Sequence, residues 1–135
     1  MRSLLFVPAD SKRKLDRARQ SEADALILDL EDSVVPANRP AARAQARAFL
    51  AAVRDAGFRR YVRINPLESG AALDDLAAVL PGKPHGILLP KCLPEDVRTL
   101  DHYLTAFEAA FGLTPAAVRI IAIATETPAA IFALG

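Results

Sequence analysis

Residues 25–39 read ALILDLEDSVVPANR. An apolar run of strand length ends in three carboxylates, Asp29, Glu31 and Asp32. Charge carried by a buried strand is costly unless it is paired or holds a cation. The fold and the chemistry of the chain both depend on the surroundings of these acids.

Four further apolar runs resemble this one: SLLFVP (3–8), YVRIN (61–65), GILLP (86–90) and VRIIAIAT (118–125). Between them lie helical patterns. SKRKLDRARQS (11–21) reads as a short charged helix. In PAARAQARAFLAAVRDAG (40–57), Pro40 suits a first helical turn and Gly57 a C-terminal stop. AALDDLAAVLPG (71–82) is a third helix. In PEDVRTLDHYLTAFEAAFG (94–112), Val97, Leu100, Leu104, Phe107 and Phe111 recur at helical spacing before Gly112. Strands alternating with helices predict an α/β fold with a parallel sheet, and unbroken apolar runs fit strands buried on both faces. Two architectures meet that pattern: an open doubly wound sheet, or about five βα units from the N-terminal portion of a TIM (β/α)8 barrel, which in full takes ~250 residues. A fifth helix begins in ETPAAIFALG (126–135). The expectation is one domain over 1–135, an incomplete barrel lacking its C-terminal strands.

Alternation along each strand assigns its polar residues to a face. Leu26, Leu28 and Leu30 form a helix-facing row, which turns Asp29 and Glu31 to the other side. Val62 and Ile64 likewise put Arg63 and Asn65 opposite the helices, with Asn65 before Pro66 also suiting a turn. On the fourth strand Ile87, Leu89 and Lys91 share parity. On the fifth, Ile121 and Ile123 are assigned to the helix side, leaving Ala122, Ala124 and Glu126 inside. Phe6 shares a face with Leu4 and Pro8. Glu31, Arg63, Lys91 and Glu126 then meet at the C-terminal ends of the strands, where barrel enzymes carry their active sites. A plain ion-pair cluster of Asp29, Glu31, Arg63 and Lys91 filling the lumen is the alternative. Asp32 falls on the opposite face by parity, as a cap for the turn before Pro36. Lys12, Arg13 and Lys14 form a basic run, either a solvated face or a contact for a phosphorylated ligand.

Composition narrows the classes. Hydrophobic residues make up 52%, charged residues 24%, and the formal net charge is +1. That describes a globular chain with no global field for nucleic acid or an anionic membrane, and the absence of Trp argues against a base-stacking platform. No apolar run reaches the ~20 residues of a membrane span. The start MRSLLFVPAD has too short an apolar run for a secretory signal. Cys92 is the single cysteine, which excludes an internal disulfide and fits a reducing compartment. A cytoplasmic protein is expected. His85 and His102 are isolated and form no metal set.

LLFVPA, LILDLEDSV, YVRINP, LLPK and ATETPAA, in this order, resemble the citrate lyase β-subunit-like proteins of the HpcH/HpaI aldolase superfamily. The resemblance implies a TIM barrel and a Mg2+-dependent carbon–carbon lyase acting on 3-hydroxy acyl-CoA thioesters such as citryl-, malyl- or citramalyl-CoA. It implies that Arg63 contacts the substrate carboxylate and carbonyl, and that Glu126 binds the metal. A second ligand, an aspartate, is expected about one βα unit later, past Gly135. Glu31 and Asp32 match acids that hydrogen-bond metal-bound water or neighbouring basic groups. Phe6, Arg13 and Lys91 are expected at the substrate, with Arg13 toward the CoA end. Cleavage leaves an acyl-CoA enolate, whose charge a divalent cation and a guanidinium stabilise. A homotrimer is the oligomer that the resemblance implies. Two other readings remain: a flavodoxin-like signalling domain phosphorylated on Asp29 or Asp32, and an inactive fragment or binding subunit of a lyase.

Overall fold

The computed structural model describes residues 2–132, in a single α/β unit. Its five strands are β1 (Leu4–Pro8), β2 (Ala25–Asp29), β3 (Arg59–Arg63), β4 (Gly86–Leu89) and β5 (Arg119–Ala122). The helices are α1 (Lys12–Ala18), α2 (Arg39–Ala52), α3 (Ala72–Val79), α4 (Pro94–Ala110) and the short α5 (Pro128–Phe132). All strand pairs are parallel, and their spatial order is the chain order, β1-β2-β3-β4-β5. A doubly wound sheet reverses its strand order at a switch point. Sequential order without reversal is barrel-type, so the flavodoxin-like reading falls with it.

Packing leads to the same conclusion. The main core joins Leu26, Leu28, Leu30, Val62, Ile64, Ile87 and Leu89 from the sheet to Leu15, Leu50, Leu76 and Leu100 from α1 to α4. Each of these four helices thus covers the same face. A second, smaller cluster of Ala25, Ile27, Tyr61 and Leu88, with Ile121 and Ile123 against it, lies on the other face and contains no helical residue. A doubly wound domain would carry helices on both faces. Here the second face is the inner side of a curving sheet.

Local signals set the element ends. Ser11 caps α1, its hydroxyl accepting from the Lys14 N–H at 3.3 Å. Asp96 accepts the Leu93 N–H at 2.8 Å to open α4, and Gly112, at a φ of 65°, comes just after its end. Gly86 is required by close approach: a Cβ there would sit 2.8 Å from the Arg119 carbonyl oxygen and 2.9 Å from the Tyr61 ring.

Four expectations change. Helix α2 ends at Ala52, short of Gly57, since Val53 leaves helical geometry and its N–H closes the last turn on Phe49. On β5 the parity is inverted: Ile120 packs on the helix side, while Ile121 and Ile123 join the inner cluster. Adjacent apolar residues leave that strand's face ambiguous, and its register with β4, which sets Ile121 opposite Leu88, decides it. Asn65 does not point inward. β3 ends at Arg63, and the Asn65 side chain bonds to Asp75 on α3 in the helix layer. Asp32 is not on the opposite face, because β2 ends at Asp29 and the chain turns before reaching it. The last part of the stretch read as a fifth helix, 133–135, lies outside the described residues.

Candidate active site

Strand register builds the centre of the site. Pro8, Asp29 and Arg63 are abreast on β1, β2 and β3. The Arg63 guanidinium meets the Asp29 carboxylate with two of its three nitrogens: Nε to Oδ1 at 2.8 Å and Nη2 to Oδ2 at 2.7 Å. Asp29 also accepts from the Glu31 N–H at 2.9 Å, the Ser33 N–H at 3.1 Å and the Ser33 hydroxyl at 2.5 Å. Burial pushes the Asp29 carboxyl up, but the bonds from Arg63, Ser33 and Glu31 outweigh it and hold the group below its usual range. Asp29 raises Arg63 in turn. On its other side the guanidinium lies 4.9 Å from the centre of the Phe6 ring, a cation–π contact that fixes its plane. Nη1 is left facing Glu31 Oε1 at 3.7 Å, too long for a hydrogen bond.

Beside this pair, Lys91 gathers the acids. Strand alternation would send its side chain to the helices with Ile87 and Leu89. The strand stops at Leu89, and a φ of 49° at Lys91 turns the chain instead. Left-handed backbone is sterically disfavoured for a residue with a Cβ, so contacts must hold it. Its N–H donates to Glu126 Oε2 at 2.9 Å, while its ammonium donates to Glu31 Oε2 at 2.9 Å and to Asp32 Oδ1 at 3.4 Å. Carboxylate oxygens of Glu31, Asp32 and Glu126 all lie within 4.8 Å of one another. Burial pushes Glu31 up, and a hydrogen bond shared with Asp32 adds to this against the pull of Lys91. That shared bond is also the chief cause that holds Asp32 below its usual range.

The charge does not close. Four carboxylates, Asp29, Glu31, Asp32 and Glu126, face two cations, Arg63 and Lys91, leaving two negative charges uncompensated when all are ionised. Glu31 is buried, yet its Oε1 has no hydrogen-bond partner among the described residues. An all-oxygen donor set with a surplus of two negative charges fits a hard divalent cation, and magnesium is such an ion. Glu31, Asp32 and Glu126 are the residues placed to hold it.

A sequence model of one family, HpcH/HpaI aldolase/citrate lyase, matches residues 2–134. The chain belongs to the HpcH/HpaI aldolase/citrate lyase family. It is 40% identical over 91 residues to a (3S)-malyl-CoA thioesterase of Cereibacter sphaeroides, covering 67% of this chain and 32% of that protein. It is 33% identical over 128 residues to the citrate lyase subunit beta of Escherichia coli K12, covering 94% of this chain and 42% of that one. The chain therefore spans less than half the length of either curated relative. Among solved structures, a citrate lyase beta subunit from M. tuberculosis, complexed with oxaloacetate and magnesium, superposes with a TM-score of 0.64 at 27% identity over 96% of this chain and 60% of that chain. The barrel-type reading of the fold stands with these matches.

Of the residues singled out in the sequence, the fold brings together Phe6, Glu31, Asp32, Arg63, Lys91 and Glu126, with Asp29 among them. It does not bring in Arg13, which is exposed on α1 and lines a shallow depression with Lys12, Asp16, Arg17 and Gln20. Cys92 is buried against the Ile123 carbonyl, and burial pushes its thiol up, which suits packing rather than nucleophilic work. Two features went unread in the sequence. Ser33, four residues after Asp29, donates to it from both its N–H and its hydroxyl, beside the Asx turn that the Glu31 N–H closes. Asp75 lies on the apolar stripe of α3 with Ala72, Leu76 and Val79, and a carboxylate on such a stripe was the available signal.

No helix among the described residues is long and apolar enough to cross a membrane.

Proposed function

We propose that this chain forms the substrate-facing part of a Mg2+-dependent carbon–carbon lyase for 3-hydroxy acyl-CoA thioesters of the citryl-, malyl- or citramalyl-CoA kind. The observation that carries the reading is the unclosed charge: two surplus negative charges and a Glu31 oxygen that, among the described residues, has no hydrogen-bond partner and lies 3.7 Å from Arg63 Nη1. The magnesium named with the M. tuberculosis relative, and the malyl-CoA named with the C. sphaeroides one, support the same assignment.

In this reading the cation, when bound, supplies Lewis acidity toward the substrate's carbonyl oxygen. Glu126, with Glu31 and Asp32, holds it. Arg63 binds the substrate carboxylate through donors not spent on Asp29, and its fixed, always-charged plane favours the charge that develops as the bond between C2 and C3 breaks. As that bond breaks, the 3-hydroxyl gives its proton to a base and its carbon becomes a carbonyl, while the electron pair left on the acyl-CoA fragment takes up one proton at C2, so protons balance overall. Phe6 holds the guanidinium plane and walls the depression that Pro8, Asp29, Asp32, Ser33 and Arg63 line. Lys91 orders Glu31, Asp32 and Glu126 and offers positive charge to the anionic substrate. Arg13 remains a candidate for the CoA end only, at a distance from the reacting carbons.

Turnover of malyl-, citramalyl- and citryl-CoA with Mg2+ tests this. Arg63→Ala and Glu126→Ala are each expected to lower kcat/KM by about 100-fold or more, as loss of a preorganised electrostatic group does. Unchanged turnover in both removes the assignment. The relative named a thioesterase supports a second reading, hydrolysis of the thioester on the same site. From malyl-CoA, acetyl-CoA and glyoxylate report carbon–carbon cleavage, while free CoA and malate report hydrolysis.

A further inference from the structure

The helix side of the strand ends carries a polar assembly that the proposed chemistry does not use. Asp75, on α3, is fully buried. Its Oδ1 accepts from Arg43 Nε of α2 at 2.8 Å. Its Oδ2 accepts from both the main-chain N–H and the side-chain Nδ2 of Asn65, each at 2.8 Å. Asn65 Nδ2 also donates to the Leu30 carbonyl at 3.0 Å. The Leu30 N–H donates to the Arg63 carbonyl at 3.0 Å. Leu30 is flanked by Asp29 and Glu31, and Asn65 lies two residues past Arg63. The chain of bonds therefore begins on two helices and ends on the main chain beside the three central polar groups of the site.

We propose that Asp75 is a positioning residue: anchored by Arg43, it holds Asn65 as a clasp between the ends of β2 and β3 and so fixes Arg63 against Asp29 and Glu31. The strands end here, β2 at Asp29 and β3 at Arg63, and past the Leu30 N–H bond to the Arg63 carbonyl the Asn65 amide is the next link between the two segments. A carboxylate suits the post because it accepts from three donors on two oxygens. The role in turnover rests on the lyase reading given above, but the role in holding Arg63 does not.

The test measures Arg63 itself. In the isotope-labelled chain, the Arg63 Nε–H resonance reports its bond to Asp29, and its exchange with solvent reports how firmly that bond is held. Asp75→Asn puts an amide donor where an acceptor is needed and is expected to speed Nε–H exchange by about 10- to 100-fold and to shift the resonance. Asn65→Ser removes only the clasp, keeps the Arg43–Asp75 pair, and is expected to do the same. Leu100→Ala, a cavity in α4 away from the clasp, controls for lost stability and should leave the Arg63 signal where it was. A signal unmoved in Asn65→Ser, or moved as much in Leu100→Ala, overturns the proposal and leaves Asp75 a purely structural residue, whether or not Asp75→Asn folds. Turnover is read separately: kcat should fall in both clasp variants with the smaller change in KM, since a reacting geometry misplaced by an ångström costs about 100-fold. A wild-type protein with no lyase activity but the expected Nε–H pattern would sink the functional reading and keep the clasp.

Discussion

Two acidic centres sit back to back at the same ends of β2 and β3, one buried and one partly open to solvent, and they are wired differently. On the helix side, Asp75 meets one guanidinium and one amide group, and both of its carboxylate oxygens have partners. On the inner side, Asp29 is equally well satisfied, but Glu31, Asp32 and Glu126 share one lysine, and a buried Glu31 oxygen has no hydrogen-bond partner among the described residues. The first centre is closed and the second is left open. Closure is what a structural network requires, because a half-satisfied one costs more than an apolar core would. An open network persists when something outside the chain completes it. The contrast thus separates the group that holds the fold from the groups that the proposed function assigns to a ligand.

The largest effect should come from breaking the closed centre. Asp75→Ala strands Arg43 and Asn65 and is expected to cost about 3–5 kcal/mol, read as a lower urea midpoint. A loss below about 1 kcal/mol would show that the helix-side network carries little of the stability, and the contrast would fail. Arg63→Lys comes next. A single ammonium cannot reproduce the two-point contact with Asp29 or the stacking on Phe6, so about 1–3 kcal/mol should be lost in the same assay. Glu31→Gln should go the other way: without added metal, removing one surplus charge should leave stability within about 1 kcal/mol of the parent or slightly above it. The same substitution should weaken Mg2+ binding by calorimetry. Strong destabilisation by Glu31→Gln would mean that the inner centre is closed after all. The smallest effect belongs to His85, at the N-terminal ends of the strands, whose Nδ1 accepts from the Arg60 N–H at 3.0 Å. Burial first, then Arg60 and Arg59, lower its pKa. The unfolded chain therefore binds the proton more readily, so the stability from a neutral His85 is complete above the ordinary value of 6.5 and is lost as pH falls below it. Urea midpoints measured at about pH 7.5 and about pH 5 should differ more in the parent than in His85→Asn.

The comparison also explains how much of the molecule is legible in the sequence. The inner centre is visible because its acids and Arg63 occupy strand positions, where alternation every second residue gives a direction. Arg63 and Asp29 fall opposite the leucine and valine rows, and the register sets them abreast. Alternation misleads where the strands stop. Asn65, Asp32 and Lys91 all lie past the end of a strand, and for Asn65 and Asp32 it gives the wrong side. Lys91 reaches the acids only through a left-handed backbone turn that no propensity at a lysine announces. On β5, consecutive small or apolar residues carry no polar marker, so the register with β4 is needed to orient them. Asp75 is readable in principle as a carboxylate on the apolar face of α3, but its partners, Arg43 and Asn65, are 32 and 10 residues away along the chain. Contacts of that range arise only in the assembled layers.

The inner face, free of helical contact, has a consequence for how such a chain changes over time. Ile27, Tyr61 and Leu88 form one apolar cluster with Ala25, Ile121 packs against it, and no helical residue among the described ones belongs to it. Trading bulk among them reshapes the chamber below the polar groups while the seams between sheet and helices stay as they were. Under the proposed reading, substitutions at Ile27, Tyr61, Leu88 and Ile121 would retune the fit to the ligand's apolar part while the larger cluster between sheet and helices keeps its packing.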